Sequence, residues 1–242
     1  MGAKLMPDEQ LRQIYLQALE QNRFELHYQR ICHMRRGNVV GYEALLRWPN
    51  SKLGPAEFLP PALQLGIMPN INKWVIDKVA YDLNYIPDYW VAINISELKG
   101  LPEQIAAAAD AGLDRSRLRL EIVESLTLDV GAISPLASLR DQGTKLEWDD
   151  WGTAYNGLKR MLDLQADALK LDLQFVRGVT NCHIKQAICN AGLSLCQDIG
   201  LESIAEGVEN YDAREWLIQR GCNLGQGFLF GKPEPLRTKS PG

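Results

Sequence analysis

The chain has 242 residues, 46% of them hydrophobic and 23% charged, which is enough for a substantial buried core in one α/β domain. Its formal net charge of −4, with no run of five like charges, excludes a basic track for a nucleic-acid polymer and an acidic tail. The amino terminus MGAKLMPDEQLRQ has no apolar leader core, and no stretch approaches the ~18 uncharged apolar residues of a membrane-spanning helix, so a cytoplasmic protein without membrane insertion is expected.

Behind Pro7 and Asp8, residues Leu11, Ile14, Tyr15, Ala18 and Leu19 repeat at the spacing of an amphipathic helix. That helix is expected within residues 1–22, packed on a domain at 23–236. FELHYQRI, CHMRRGN and VVGYEALLRW follow. The gap is far shorter than the dozen or so residues of a crossover helix, so the first two strands should form an antiparallel hairpin. The proline-rich piece PNSKLGPAEFLPPALQLG reads as a loop leading into a helix. Strand-like runs at Trp90–Ile95, Arg117–Val123, Lys145–Asp149, Ala168–Asp172, Glu202–Ala205 and Leu224–Phe230 then alternate with helix-length segments, which predicts parallel βα units. Eight strands, the first reversed, over this length favour a closed barrel over an open sheet, although the pattern alone does not prove closure. Residues 237–242 read as a flexible tail.

Five cysteines, Cys32, Cys182, Cys189, Cys196 and Cys222, contain no CxxC pair. Three of them fall seven apart along a helix expected from about Ile184 to Gln197, and a buried small-residue face explains them better than a redox or soft-metal site.

Acidic or amide residues close one apolar run after another: Glu43 in VVGYEALLRW, Asn94 in WVAINIS, Glu121 in LRLEIVE, Asp149 and Asp150 in KLEWDD, and Glu206 in ESIAEGV. In a parallel α/β protein the strand ends form the face where ligands bind. These residues offer only oxygen, the donor set of Mg²⁺ or Mn²⁺ and not of Zn²⁺. If Asp149 points inward and bridges, Asp150 reaches a second ion ~3.5–4 Å away, the separation of two-metal phosphoesterases. Any one of these acids is explained as well by a helix cap; their recurrence at successive strand ends is not. Lys170, inside the apolar run ALKL, needs a partner. It is either a structural ion pair or the group that steadies an attacking water and the developing phosphorane charge, and the second is favoured. His27, His33 and His183 form no metal motif, and no GxSxG, Walker loop or GxGxxG is present.

EALLRW at Glu43–Trp48 resembles the signature of the EAL-domain family, the cyclic di-GMP phosphodiesterases. The similarity runs from about Phe24 to Pro235 and keeps several motifs in order: YQ at Tyr28–Gln29, NIS at Asn94–Ser96, LEIVES at Leu120–Ser125, DDWGTAY at Asp149–Tyr155, KLDLQFV at Lys170–Val176, AEGVE at Ala205–Glu209 and GQGFLF at Gly225–Phe230. The resemblance implies a modified TIM (β/α)8 barrel with an antiparallel first strand, and hydrolysis of cyclic di-GMP to linear pGpG with two Mg²⁺ or Mn²⁺ ions. Carried over by position, Glu43, Asn94, Glu121 and Asp149 would hold one metal, with Asp149 shared and Asp150 on the second. Lys170 and Glu206 would orient or deprotonate the attacking water, supported by Glu209 and Gln226. Gln29, Leu45 and Arg47 would contact the dinucleotide, and Glu124 would tether the loop after strand five. A homodimer and a regulatory partner protein are further expectations. The alternative is a catalytically weak or inactive cyclic di-GMP receptor or protein-interaction module.

The sequence departs from the family pattern most in that loop, where Trp151, Ala154, Asn156 and Gly157 replace the common Phe, Gly, Ser and Ser. The histidine–proline pair after the signature is missing, Leu63 stands where an acid is usual, and Arg30 replaces the proline after YQ. The altered loop is expected to slow turnover without weakening cyclic di-GMP binding.

Overall fold

Hydrophobic alternation along the strands decides the architecture. The computed structural model describes residues 7–51, 53–86, 88–123, 130–151 and 164–236, with backbone alone at 50, 123, 130–132 and 150. Eight strands form a closed ring: β1 (Glu25–His33), β2 (Val39–Arg47), β3 (Trp90–Ile95), β4 (Leu118–Val123), β5 (Lys145–Trp151), β6 (Ala168–Leu171), β7 (Glu202–Ala205) and β8 (Leu224–Gln226). β1 runs antiparallel to both neighbours, with Gln29 opposite Glu43 of β2 and Ile31 opposite Gln226 of β8, and every junction from β2 round to β8 is parallel. This is the TIM-like barrel with a reversed first strand that the hairpin argument required. A ninth strand, β9 (Glu234–Pro235), pairs with β1 at His27 and Tyr28, before the stretch Ile31–His33 that pairs with β8, and had no signal in the sequence.

Among the described residues the helices are α1 (Asp8–Glu20), α2 (Pro55–Gln64), α3 (Met68–Asp82), α4 (Leu101–Asp110), α5 (Val130–Asp141), the short α6 (Leu173–Val176), α7 (His183–Ile199) and α8 (Tyr211–Gln219). Val91, Ile93 and Ile95 of β3, Leu118, Leu120 and Ile122 of β4, and Leu146 and Trp148 of β5 join the large core under them. Leu169 and Leu171 of β6 belong to a second core cluster with α7 and α8. Strand residues alternate faces, so their neighbours project into the barrel. There Ile31, Ala168, Ile204 and Leu224, with Val40 and Trp90, fill the end nearest the strands' amino termini. α1 is anchored by Tyr15, whose hydroxyl donates to the Phe58 carbonyl at 2.6 Å, inside a cluster with Phe24 and Trp48.

Several expectations are corrected. The proline-rich segment is already helical from Pro55, because Pro is tolerated in a first turn and burial of Phe58 and Ala62 one turn apart outweighs the two internal prolines. The eighth strand stops at Gln226 and not Phe230: the chain turns at Gly227, and Leu229 N–H donates to the Val208 carbonyl at 3.1 Å. The sixth stops at Leu171, since Asp172 caps α6 by accepting from Gln174 N–H at 2.7 Å. Cys182 precedes α7 instead of lying on it, while Cys189 and Cys196 are buried as expected; burial pushes their thiols up to about 11 and about 12. The tail at 237–242, Glu124 and the loop positions Ala154, Asn156 and Gly157 lie outside the described residues, as does the Asp150 side chain.

Candidate active site

The inward faces bring Glu43, Asn94, Glu121, Asp149, Lys170, Glu206 and Gln226 together at one end of the barrel. Lys170, fully buried, is the hub: its Nζ lies 2.6 Å from Glu206 Oε1, 2.9 Å from Glu121 Oε2 and 3.2 Å from Asp149 Oδ1. Amides hold Glu43. Asn94 Nδ2 donates to its Oε1 at 2.7 Å and Gln226 Nε2 to its Oε2 at 2.5 Å. The same Gln226 amide donates to Gln29 Oε1 at 2.8 Å, and Gln29 Nε2 donates to the Gly231 carbonyl at 3.1 Å. Glu43 and Glu121 do not end their strands as their sequence position suggested; Glu43 is the fifth of nine residues in β2. Stagger between barrel strands defines the mouth instead, with Glu43 beside Ala92, Asn94 beside Glu121, and Val123 beside Asp149.

Electrostatics follow from the burial. Burial disfavours the Lys170 ammonium, but Asp149, Glu121, Glu206 and Glu43 outweigh it and hold its pKa well above the lysine value. Burial and the adjacent Glu43 charge push Glu121 well above the usual carboxylate range, and burial raises Glu206 to about 8 against the pull of Lys170. Burial opposes the charge on Glu43 as well, yet Lys170 and the amides of Gln226 and Asn94 keep it below the usual range.

A cavity of about 290 Å³ opens above this cluster, lined by Gln29, Glu43, Leu45, Asp149, Glu206 and Gln226 and rimmed by Leu173, Arg177, Gly207, Gly227 and Phe228. A larger one, about 530 Å³, lies at the opposite end around Lys145, Asp167 and Glu202, away from the clustered carboxylates. Gly207 has φ +64, and a Cβ there would meet Leu173 Cβ at 2.7 Å, so the turn beside Glu206 admits only glycine. Phe228, 52% exposed, presents its ring at the mouth. Its motif was visible in the sequence, but nothing there distinguished this aromatic from a core one. Two expected residues stand apart from the cluster. Glu209 pairs with Arg177 at 2.8 Å on the exposed rim, and Arg47, half-buried, donates to the Leu46 carbonyl at 2.9 Å.

Among the described residues, no group of three acidic, histidine or cysteine side chains closes on a single ion position as it stands. The donor chemistry nevertheless fits a hard divalent cation. Both Glu121 oxygens and Asp149 Oδ1 are buried without an aligned hydrogen-bond partner, and so is Lys170 Nζ, whose contacts are at ion-pair distance but off the hydrogen-bonding directions. Three carboxylates packed round one ammonium make an all-oxygen nest short of positive charge.

Residues 12–233 match the family model described as EAL domain. The chain is 34% identical over 250 residues to the bifunctional diguanylate cyclase/cyclic di-GMP phosphodiesterase MucR of Pseudomonas aeruginosa, a match covering 97% of this chain and 36% of that protein. It thus spans about a third of the length of the curated relatives it matches first. The PaMucR phosphodiesterase in its c-di-GMP complex superposes with a TM-score of 0.86 at 33% identity, covering 93% of this chain and 98% of that one. BlrP1 of Klebsiella pneumoniae, in a manganese/cyclic di-GMP complex, superposes with a TM-score of 0.74 at 27% identity, covering 88% of this chain and 56% of that one.

Proposed function

The chain belongs to the EAL domain family, and from that membership and the carboxylate ring around Lys170 we propose that it hydrolyses cyclic di-GMP to linear pGpG. The observation that carries the proposal is the convergence of Glu43, Asn94, Glu121, Asp149, Lys170, Glu206 and Gln226 in one cluster, of which Glu43, Asp149, Glu206 and Gln226 line the cavity, with buried carboxylate oxygens that accept no aligned hydrogen bond. Glu43, Asn94, Glu121, Asp149 and Asp150 would hold two Mg²⁺ or Mn²⁺ ions, whose chemistry is to neutralise phosphodiester charge and acidify water. Support comes from BlrP1, solved with manganese and cyclic di-GMP.

The chain's own groups supply the rest. Lys170 directs an ammonium at the place where phosphoryl charge grows, in a site that excludes bulk water. Glu206, 2.6 Å from that ammonium, accepts the proton of the attacking water. Gln226 steers Glu43 through its 2.5 Å hydrogen bond. Gln29, Leu45 and Phe228 line the mouth, where the Phe228 ring offers a stacking face to a guanine; Arg47, outside the cavity lining, would have to leave the Leu46 carbonyl to supply a cation for a phosphate. Glu209 acts from the rim, ordering Arg177. A homodimer and a regulatory partner belong to the same proposal.

Chromatography of cyclic di-GMP incubated with the protein and Mn²⁺ or Mg²⁺ tests this reading. A pGpG peak that EDTA abolishes is expected. Unchanged cyclic di-GMP, with calorimetry still showing binding, refutes hydrolysis in favour of a receptor; absence of both refutes the ligand as well.

A further inference from the structure

The barrel interior carries a second charged layer beneath the site. Arg119 and Glu121 are two residues apart on β4, so both project into the barrel, Arg119 nearer the amino-terminal end. Arg119 Nη1 lies 2.8 Å from Glu147 Oε1 and 2.7 Å from Glu202 Oε2, and its guanidinium sits 3.6 Å from the centre of a Trp90 ring. Gly41 makes the room for that ring, since a Cβ there would stand 2.3 Å from it. Glu147 is fully buried and lies directly beside Glu121 in the β4–β5 register. One layer up, Glu121 is paired with Lys170 at 2.9 Å and neither of its oxygens accepts an aligned hydrogen bond.

A buried guanidinium is the strongest competitor for such a carboxylate, because its fork matches two carboxylate oxygens at once. Glu121 has Lys170 as its cation and no guanidinium, Arg119 being paired with Glu147 and Glu202. We propose that Glu147 is a positioning residue for the metal site: by holding Arg119 at the barrel floor, with Glu202 and Trp90, it stops the guanidinium from capturing Glu121 and leaves that carboxylate open to a divalent cation. The role rests on reading Glu121 as a metal ligand. Glu202 is the lesser partner, since its side chain is 35% exposed and solvent screens it.

Equilibrium Mn²⁺ binding, followed by the paramagnetic resonance signal of the free ion, tests this without any turnover. Wild type is titrated first; a chain that takes up no Mn²⁺ overturns the metal reading and the floor's role with it. If wild type binds, Glu147→Gln should weaken Mn²⁺ affinity by about tenfold, or ~1.4 kcal/mol, because Arg119 turns to Glu121. Adding Arg119→Met to Glu147→Gln should bring affinity back to within about threefold of wild type, since the competing cation is gone and an apolar side chain replaces a buried ion pair at little cost. A merely structural role predicts no such rescue. Affinity of Glu147→Gln within threefold of wild type, or a double variant as weak as the single one, overturns the proposal. Should Glu147→Gln fail to fold, Glu202→Gln replaces it: a twofold to fivefold weakening is expected by the screening argument, and unchanged affinity is the refuting result.

Discussion

Lys170→Met is the most informative perturbation, because the structure states what the ammonium does before any metal arrives. Three carboxylates lie within 3.2 Å of its Nζ, and Lys170 and Glu121 are fully buried. Methionine fills the same space without charge. Breaking a buried ion pair by removing one partner costs about 3–5 kcal/mol. Here the lower end applies, since Glu121 and Glu206 already bind protons more tightly than ordinary carboxylates and can neutralise themselves. For a chain this long, ~3 kcal/mol corresponds to a fall in Tm of about 6–12 °C. Calorimetric melts in EDTA measure it. Saturating Mn²⁺ should restore more stability to the variant than it adds to wild type, because the ion supplies the charge the methionine lacks, and an occupied site at ~100 times its Kd is worth ~2.7 kcal/mol by mass action alone. The catalytic rate at saturating metal and cyclic di-GMP should fall ~10²-fold or more through loss of a contact made in the transition state. A lower Tm with an unchanged rate would make Lys170 a structural ion pair only, and an unchanged Tm would refute the electrostatic account of the cluster.

Further outcomes follow from the same geometry. Glu206 has a folded-state pKa of about 8 against an ordinary 4.5, so its contribution to stability is full below ~4.5 and lost as pH rises to ~8; Glu121 acts in the same direction. The metal-free Tm should therefore fall between pH 5.5 and 8.5, and Mn²⁺ should flatten the fall; a rising metal-free Tm would contradict the burial of these carboxylates. Phe228→Ala should weaken cyclic di-GMP binding by ~1–3 kcal/mol, the worth of one base–aromatic stack, with the catalytic rate within about threefold; unaltered affinity in calorimetry would remove Phe228 from the binding face. Gly41→Ala puts a methyl 2.3 Å from the Trp90 ring, and overpacking of this kind costs ~1–3 kcal/mol. A thermal melt matching wild type would show that the ring moves aside freely.

Much of the barrel was legible because its causes are local. Period-two apolar runs spaced by helix-length segments predict parallel βα units, and the short CHMRRGN gap forces a hairpin wherever it occurs. Strand eight ends at Gln226 for a tertiary reason. Gly225–Phe230 has strand-like composition, but the chain leaves the sheet at Gly227 so that Leu229 can bond the loop after β7. The proline-rich helix α2 is not legible in the segment because its stability comes from burying Phe58 and Ala62, which depends on neighbours.

The site divides in the same way. The sequence by itself determined the inventory: oxygen donors recurring along successive strands, one lysine in an apolar run, and motif order sufficient to identify the family. Only the tertiary structure decided which of these meet. Register round a closed, staggered ring put Lys170 against Glu121, Asp149 and Glu206, and left Glu209 on the rim with Arg177. It also set Arg119, Glu147 and Glu202 beneath Glu121, an arrangement drawn from β4, β5 and β7 that no one-dimensional spacing encodes. Alternation tells which face a side chain takes, whereas the depth at which it meets its partners depends on strand stagger, and stagger is a property of the closed barrel as a whole.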